Sequence, residues 1–397
     1  MIPALKTSIL ADADIGGEFK DKVGILLSGV SIVCLSGKIL GAAVTDQLGG
    51  WLVLCSVFVF WIVATLGSTF ANSVELFGYA WLLNSFAYTI TWGAAVQVVG
   101  ATFDEAGRAS NLALCASASR FGATIGNVLY GQLLSAGLKW RQVQMPMIPL
   151  QAILLTACLY MWSSSKPKNA PAAAKKAGGA EKAADTKPPS ILGAFISLDF
   201  WLMLIPKTVT FTYTQFFMNY IPELFKVVYG FDDGMAATLG GVAQGGSVIG
   251  LLYVGNRVYK PMSKDKKVQL LTVLLALCTV TPYAISLGPS FLGKYGAVPL
   301  TVVWGVAYAL PFYIPPGEFA MQIGGKSGTA LFTNIFDAAG FTMSAVWNPW
   351  ASGMAKTGDF RKILLSQALF GAMSVLTMPL CMYRLNRKAA AEPKKKQ

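Results

Sequence analysis

Apolar residues in this chain come in long runs, about twenty residues or more, separated by short polar breaks. Such runs fit neither the alternation of a half-buried strand nor the one-sided stripe of a soluble amphipathic helix. A helix rises 1.5 Å per residue, so about 20 apolar residues cross roughly 30 Å of hydrocarbon. The pattern predicts eleven spanning helices, near 23–45, 50–70, 75–101, 110–136, 145–163, 194–220, 235–256, 268–288, 297–322, 328–352 and 361–383. One long interruption divides them. Residues 164–193 are rich in Ala, Lys and Pro and read as a solvated linker, with too little apolar surface to build a core. The expected layout is a membrane half at 1–163 with five spans, the linker at 164–193, a second half at 194–384 with six spans, and a basic tail at 385–397.

Composition agrees with an all-α membrane protein. Hydrophobic residues make up 54% of the 397 residues and charged ones 13%, against about 25% charged in soluble chains. The chain has no histidine, which removes Ser-His-Asp and Cys-His relays, His-containing zinc sites and histidine proton shuttles. The six cysteines (34, 55, 115, 158, 278 and 381) fall in apolar runs without CxxC spacing and read as packing residues. No cofactor, metal site or catalytic constellation is indicated, so the chain does not read as an enzyme. The net charge of +13 is spread over loops and tail rather than a basic helix, which argues against nucleic acid. Gly324-Gly325-Lys326-Ser327 imitates a phosphate loop but follows an apolar span instead of a strand.

Lysine and arginine crowd the side that receives the linker, the tail, Arg108, Lys326 and the 257–267 loop, which predicts a cytoplasmic linker and C-terminus. The expected partners are the bilayer and a small-molecule solute, with a monomeric chain. The membrane itself is not specified by these features.

Charged residues within spans are costly and mark functional sites by default. Lys38, Arg120, Lys207, Glu318 and Asp337 qualify. Counted from the cytoplasmic ends of their spans, they lie roughly 8 to 17 Å deep at 1.5 Å per residue. Asp199 and Glu223, at the two rims, read as solvated. Gly122 and Gly126, and Gly241, Gly245, Gly246 and Gly250, form small-x3-small steps that allow close helix approach. Pro311, Pro315, Pro316 and Gly317, just before Glu318, predict a broken ninth span. Trp81, Tyr88, Trp92, Tyr213 and Phe217 are candidates for stacking on a solute or for anchoring at the interface.

The first span ends in Lys38 and Asp46-Gln47-Leu48-Gly49-Gly50, similar to the loop Gly-x-x-x-Asp-Arg-x-Gly-Arg of the major facilitator superfamily. Ala42 stands at its first glycine and Gln47 at its arginine; Gly255-Asn256-Arg257 is a weaker counterpart in the second half. Within that superfamily the chain most resembles the organophosphate:phosphate antiporters, which include glycerol-3-phosphate permeases. The likeness rests on the Lys38–Asp46 spacing, Gly328-Thr329-Ala330 with Phe332-Thr333 and Phe336, Tyr220-Ile221-Pro222, and Trp140-Arg141. It departs at Cys115-Ala116 and Ser119-Arg120, where the group carries polar pairs after a position matched by Arg108. Thr214 stands near a phosphate-binding arginine of the group. The resemblance implies two six-helix halves rocking about a midplane site, so one leading span is expected to be absent, as in a truncated start. It also places the first and tenth expected spans face to face, which implies a breakable Lys38–Asp337 contact between halves. Asp46 and Arg257 become gating candidates. Arg120 and Lys207 would bind an anionic group, with Glu318 as partner or coupling acid. The leading expectation is a secondary transporter of a small anionic organic solute working by alternating access. A neutral-solute transporter and a non-transporting multi-pass protein remain the alternatives.

Overall fold

The computed structural model describes residues 2–103, 105–165 and 191–391. Most of the expected linker and the last residues of the tail lie outside them. The helices are α1 (Ile2–Leu10), α2 (Gly16–Leu48), α3 (Gly50–Thr69), α4 (Val74–Thr102), α5 (Glu105–Ser135), α6 (Trp140–Gln144) and α7 (Met147–Ser165). After the linker come α8 (Ile191–Ile196), α9 (Leu198–Asn219), α10 (Ile221–Val227), α11 (Asp233–Ile249), α12 (Lys264–Ser286), α13 (Pro289–Leu292), α14 (Ala297–Lys356) and α15 (Phe360–Ala391). A π-helical stretch, Gly250–Tyr259, extends α11. No strand occurs among the described residues.

Local signals set the starts. The Ser73 hydroxyl accepts from the Leu76 amide at the head of α4, and the Asp232 carboxylate accepts from that of Met235 at the head of α11. Within the helices, hydroxyls turn back onto their own backbone, as Ser31 does to Leu27 and Thr89 to Ser85. That satisfies the hydroxyl where no water is at hand.

Three features depart from the hydropathy reading. The residues ahead of the first expected span are packed: α1 buries Leu5 and Ile9 and touches α2, α5 and α6 on one side and α9, α10 and α11 on the other. At nine residues it is too short for a spanning window to register. The ninth span is not broken, because α14 stays helical through Pro311, Pro315 and Pro316. The ninth and tenth expected spans are also continuous in helix, yet the chain reverses between them. Phe319 and Phe336 have ring centres 5.9 Å apart, where 17 residues of straight helix would set them about 25 Å apart. α14 is therefore a hairpin of two membrane-length legs.

Those legs, with α9, α11, α12 and α15, form one bundle, and α2, α3, α4, α5 and α7 form the other. The two meet along α2–α14 and α5–α11. The tightest crossing is at Gly131 and Gly234: a Cβ on Gly131 would stand 2.6 Å from the Gly234 carbonyl oxygen. Of the expected glycine steps, Gly241 faces Val128 across the two bundles. Gly246 and Gly250 instead admit Val302 and Val306 of α14, within the second bundle, and Gly122 faces open space. The "distal end" below is the end with the α1–α2 turn; the opposite end, where Ser165 and Ile191 stand, is the linker end.

Candidate functional site

Lys207, midway along α9, is 5% exposed. Its Nζ donates to the Phe312 carbonyl at 3.2 Å and stands 3.4 Å from the centre of the Phe312 ring. That carbonyl is free for a reason written in the sequence. In a helix it would accept from the residue four positions on, which is Pro316, and proline has no N–H. Lys207 thus caps a carbonyl that the Pro315-Pro316 pair leaves without a donor.

Asp337, on the second leg of α14, sits between two ammonium groups. Its Oδ1 is 3.6 Å from Lys207 Nζ and its Oδ2 is 3.6 Å from Lys38 Nζ on α2. These are ion pairs rather than hydrogen bonds at that distance. The two lysines come from different bundles, so the carboxylate bridges the interface. Close helix approach beside it depends on Gly340, where a Cβ would lie 2.2 Å from the Phe211 ring.

Arg120 of α5 completes the group, its guanidinium carbon 5.0 Å from the centre of the Tyr313 ring. No carboxylate pairs with it among the described residues. One turn along α5, a cavity of about 110 Å³ is lined by Gly122, Gly126, Asn127, Tyr130, Met218 and Gln244. Three cations against one carboxylate leave an excess of two positive charges around the interface.

Glu318 is not part of this group. It accepts from the Tyr259 hydroxyl at 3.0 Å and lies 3.9 Å from Lys267 Nζ, nearer the linker end. The five charges of similar depth therefore divide into a cluster of four and a separate acid. Arg257 is exposed on the π-helical stretch, and the side chain of Asp46 lies outside the described ones. Among the aromatic candidates, Tyr213 and Phe217 pack on Trp304, Trp81 is buried against Phe77, and Tyr88 and Trp92 face outward.

The two rim acids expected to be solvated are both buried. Asp199 is 3% exposed and pairs with Arg384 and Lys388 of α15. Glu223 is 8% exposed and pairs at 2.6 Å with Lys6 of α1, itself 3% exposed. Lys6 also donates to the Asn219 carbonyl at 3.3 Å and stands 4.4 Å over the Tyr220 ring. Sequence reading misses this ion pair between α1 and α10 because Lys6 lies in a helix too short to be counted as a span.

At the distal end, the Ser28 hydroxyl of α2 donates to the Ala345 carbonyl of α14 at 2.6 Å. Ala345 is four residues before Pro349, so this is another carbonyl that proline leaves free, capped from the opposite bundle. Beyond the spans, Asp12 ties the α1–α2 turn to α6 by accepting from the Trp140 indole at 2.7 Å and pairing with Arg141. Burial pushes its carboxyl up, but the Trp140 bond, the Asp14 and Ile15 amides and the Arg141 charge outweigh that and hold it below the usual carboxylate value.

Residues 2–345 match the Major Facilitator Superfamily. Among solved structures, that of a D-xylose-proton symporter superposes with a TM-score of 0.66 at 15% identity, covering 96% of this chain and 92% of that one. At that identity the likeness speaks for the fold alone. No curated protein matches the sequence. The family match spans most of the chain and agrees with the two packed helical bundles: the chain belongs to the major facilitator superfamily, a multi-pass membrane transporter fold that serves secondary transport of small solutes rather than enzymatic catalysis.

Proposed function

We propose that this protein moves a small anionic organic solute, such as a sugar phosphate, by alternating access. Lys207, Lys38 and Arg120 receive the anion, and Asp337 serves as the counter-ion that it displaces. The observation that carries this reading is the single Asp337 carboxylate shared by lysines of both bundles, beside an arginine with no acid of its own. Buried charge of one sign is costly until compensated. A dianion entering between the bundles supplies what the protein lacks. It also takes over both lysines, which frees Asp337 and with it the contact between the halves. Asp46 and Arg257 remain the gating candidates on this reading, and the linker end is taken as cytoplasmic.

Proteoliposomes holding the full chain separate the possibilities. Uptake of a phosphate monoester, a dicarboxylate and a neutral sugar should favour the anions. Lys207→Gln should abolish uptake while leaving the melting temperature near wild type, because the amide still donates to the Phe312 carbonyl but brings no charge. Uptake that survives Lys207→Gln would reduce Lys207 to a backbone cap and defeat the anion reading. Selective uptake of the neutral sugar would do the same while leaving a transporter.

A further inference from the structure

At the linker end, α12, α14 and α15 enclose a second cavity of about 340 Å³, separate from the Lys38–Asp337–Lys207 group. Lys264 and Lys267 of α12, Glu318 and Gln322 of α14 and Asn386 of α15 form its polar wall, with Leu271 among its apolar lining. The polar groups are arranged unequally. The π-helical stretch turns Tyr259, 2% exposed, so that its hydroxyl fixes Glu318 at 3.0 Å. Lys267 is held only loosely, 3.9 Å from that carboxylate and 4.7 Å over the Tyr259 ring. Lys264 has no ion-pair partner among the described residues.

Two ammonium groups against one carboxylate leave one positive charge uncompensated. Lys264 and Lys267, three residues apart, share a face of the first turn of α12, where the helix dipole also favours an anion. The Gln322 amide adds a donor for an oxygen-rich ligand, and the Asn386 amide, which gives one proton to the Lys264 carbonyl at 3.5 Å, has a second to offer. The level of the cavity narrows the choice further. Lys264 opens one membrane-length segment, Lys264–Ser286, and Asn386 is near the end of another, Phe360–Lys388. The cavity thus opens at the depth of the lipid headgroups of that leaflet, with apolar wall continuing inward.

We propose that this cavity binds a phosphodiester monoanion, the headgroup chemistry of a glycerophospholipid. One negative charge matches the single excess positive charge, and the phosphate oxygens bridge Lys264 and Lys267 while Glu318 stays with Tyr259. The site is independent of the solute reading above, since none of its residues touches the central group.

Native mass spectrometry of the full chain in detergent tests this with dioctanoyl-phosphatidylglycerol, its free headgroup glycerophosphoglycerol, and uncharged dioctanoylglycerol. One short-chain phosphatidylglycerol should be retained, and its affinity should fall about tenfold or more in Lys264→Gln/Lys267→Gln. In Glu318→Gln, which frees Lys267, affinity should rise instead; a folding defect would not produce that rise. Equal binding of the free headgroup would identify a soluble phosphodiester as the source, whereas preference for the lipid form would identify the membrane. Equal retention of dioctanoylglycerol, or an unchanged affinity in the double lysine variant, would overturn the proposal. Should that variant fail to fold, hydrogen exchange on the wild-type chain decides: protection of residues 264–271 must rise on adding the phospholipid, and its absence is equally fatal.

Discussion

Lys6→Met is the sharpest perturbation available at the distal end. The Lys6–Glu223 pair has side chains only 4% and 10% exposed, with 2.6 Å between Nζ and Oε2. Exposed ion pairs contribute about 0–1 kcal/mol. A pair buried this far is different, because removing one partner strands the other charge out of water, at a cost of about 3–5 kcal/mol. Methionine fills nearly the same volume as the lysine stem, so lost packing adds little. The lost Asn219 and Tyr220 contacts of the ammonium fall within that figure. Lys6→Met and Glu223→Met should each destabilise the closed distal end by about 3–5 kcal/mol, whereas the double variant, with no charge left to desolvate, should recover most of the loss. The resulting coupling free energy, the two single losses less the small loss left in the double variant, is about 5 kcal/mol or more and is read from a double-mutant cycle on unfolding in detergent. A second readout is the alkylation rate of Ser352→Cys, in a Cys115→Ser background, because Ser352 is 3% exposed where Gly24 of α2 meets α14. Each single variant should raise that rate at least tenfold, since about 1.4 kcal/mol already shifts a closed–open equilibrium tenfold. A coupling below about 0.5 kcal/mol with unchanged alkylation would refute the argument and make the pair incidental.

Two further outcomes follow from the same reasoning. Asp12 has its carboxyl held below the ordinary value near 4. The stability it contributes is therefore complete above pH 4 and disappears as the pH falls through its lower folded value; melting curves between pH 3 and 7 should show wild type above Asp12→Asn at neutral pH, with the gap closing below about pH 4. Ser28→Ala leaves the half-buried Ala345 carbonyl without a donor, a loss of about 1 kcal/mol. Adding Pro349→Ala restores the helical N–H and should recover much of that loss in the same unfolding assay.

The legible and the missed features divide along physical lines. Hydropathy reports depth along the bilayer normal, so the long spans and the level of Lys38, Arg120, Lys207, Glu318 and Asp337 could be read directly. It carries no azimuth. Five charges at similar depth read as one group, yet Tyr259 on its π-helical turn takes Glu318 away to the linker end, and losing that carboxylate leaves the remaining cluster more positive than the five together. Lys6 was lost for a related reason, since nine residues of α1 fall below any spanning window although Leu5 and Ile9 bury them as firmly as a span. The prolines of the ninth span predict a break, and a sharper rule applies to them. Each proline in a helix names the carbonyl four residues earlier as an acceptor without its donor. In the hydrocarbon such a carbonyl gains from a donor brought by another group. Applied to Pro316 and Pro349, the rule picks out Phe312 and Ala345, the two carbonyls that receive Lys207 and Ser28 from other helices. The identity of those donors was beyond the sequence, because it depends on how α9 and α2 lie against α14. The proline itself marks the place where a donor is useful, and the packing decides whether one arrives.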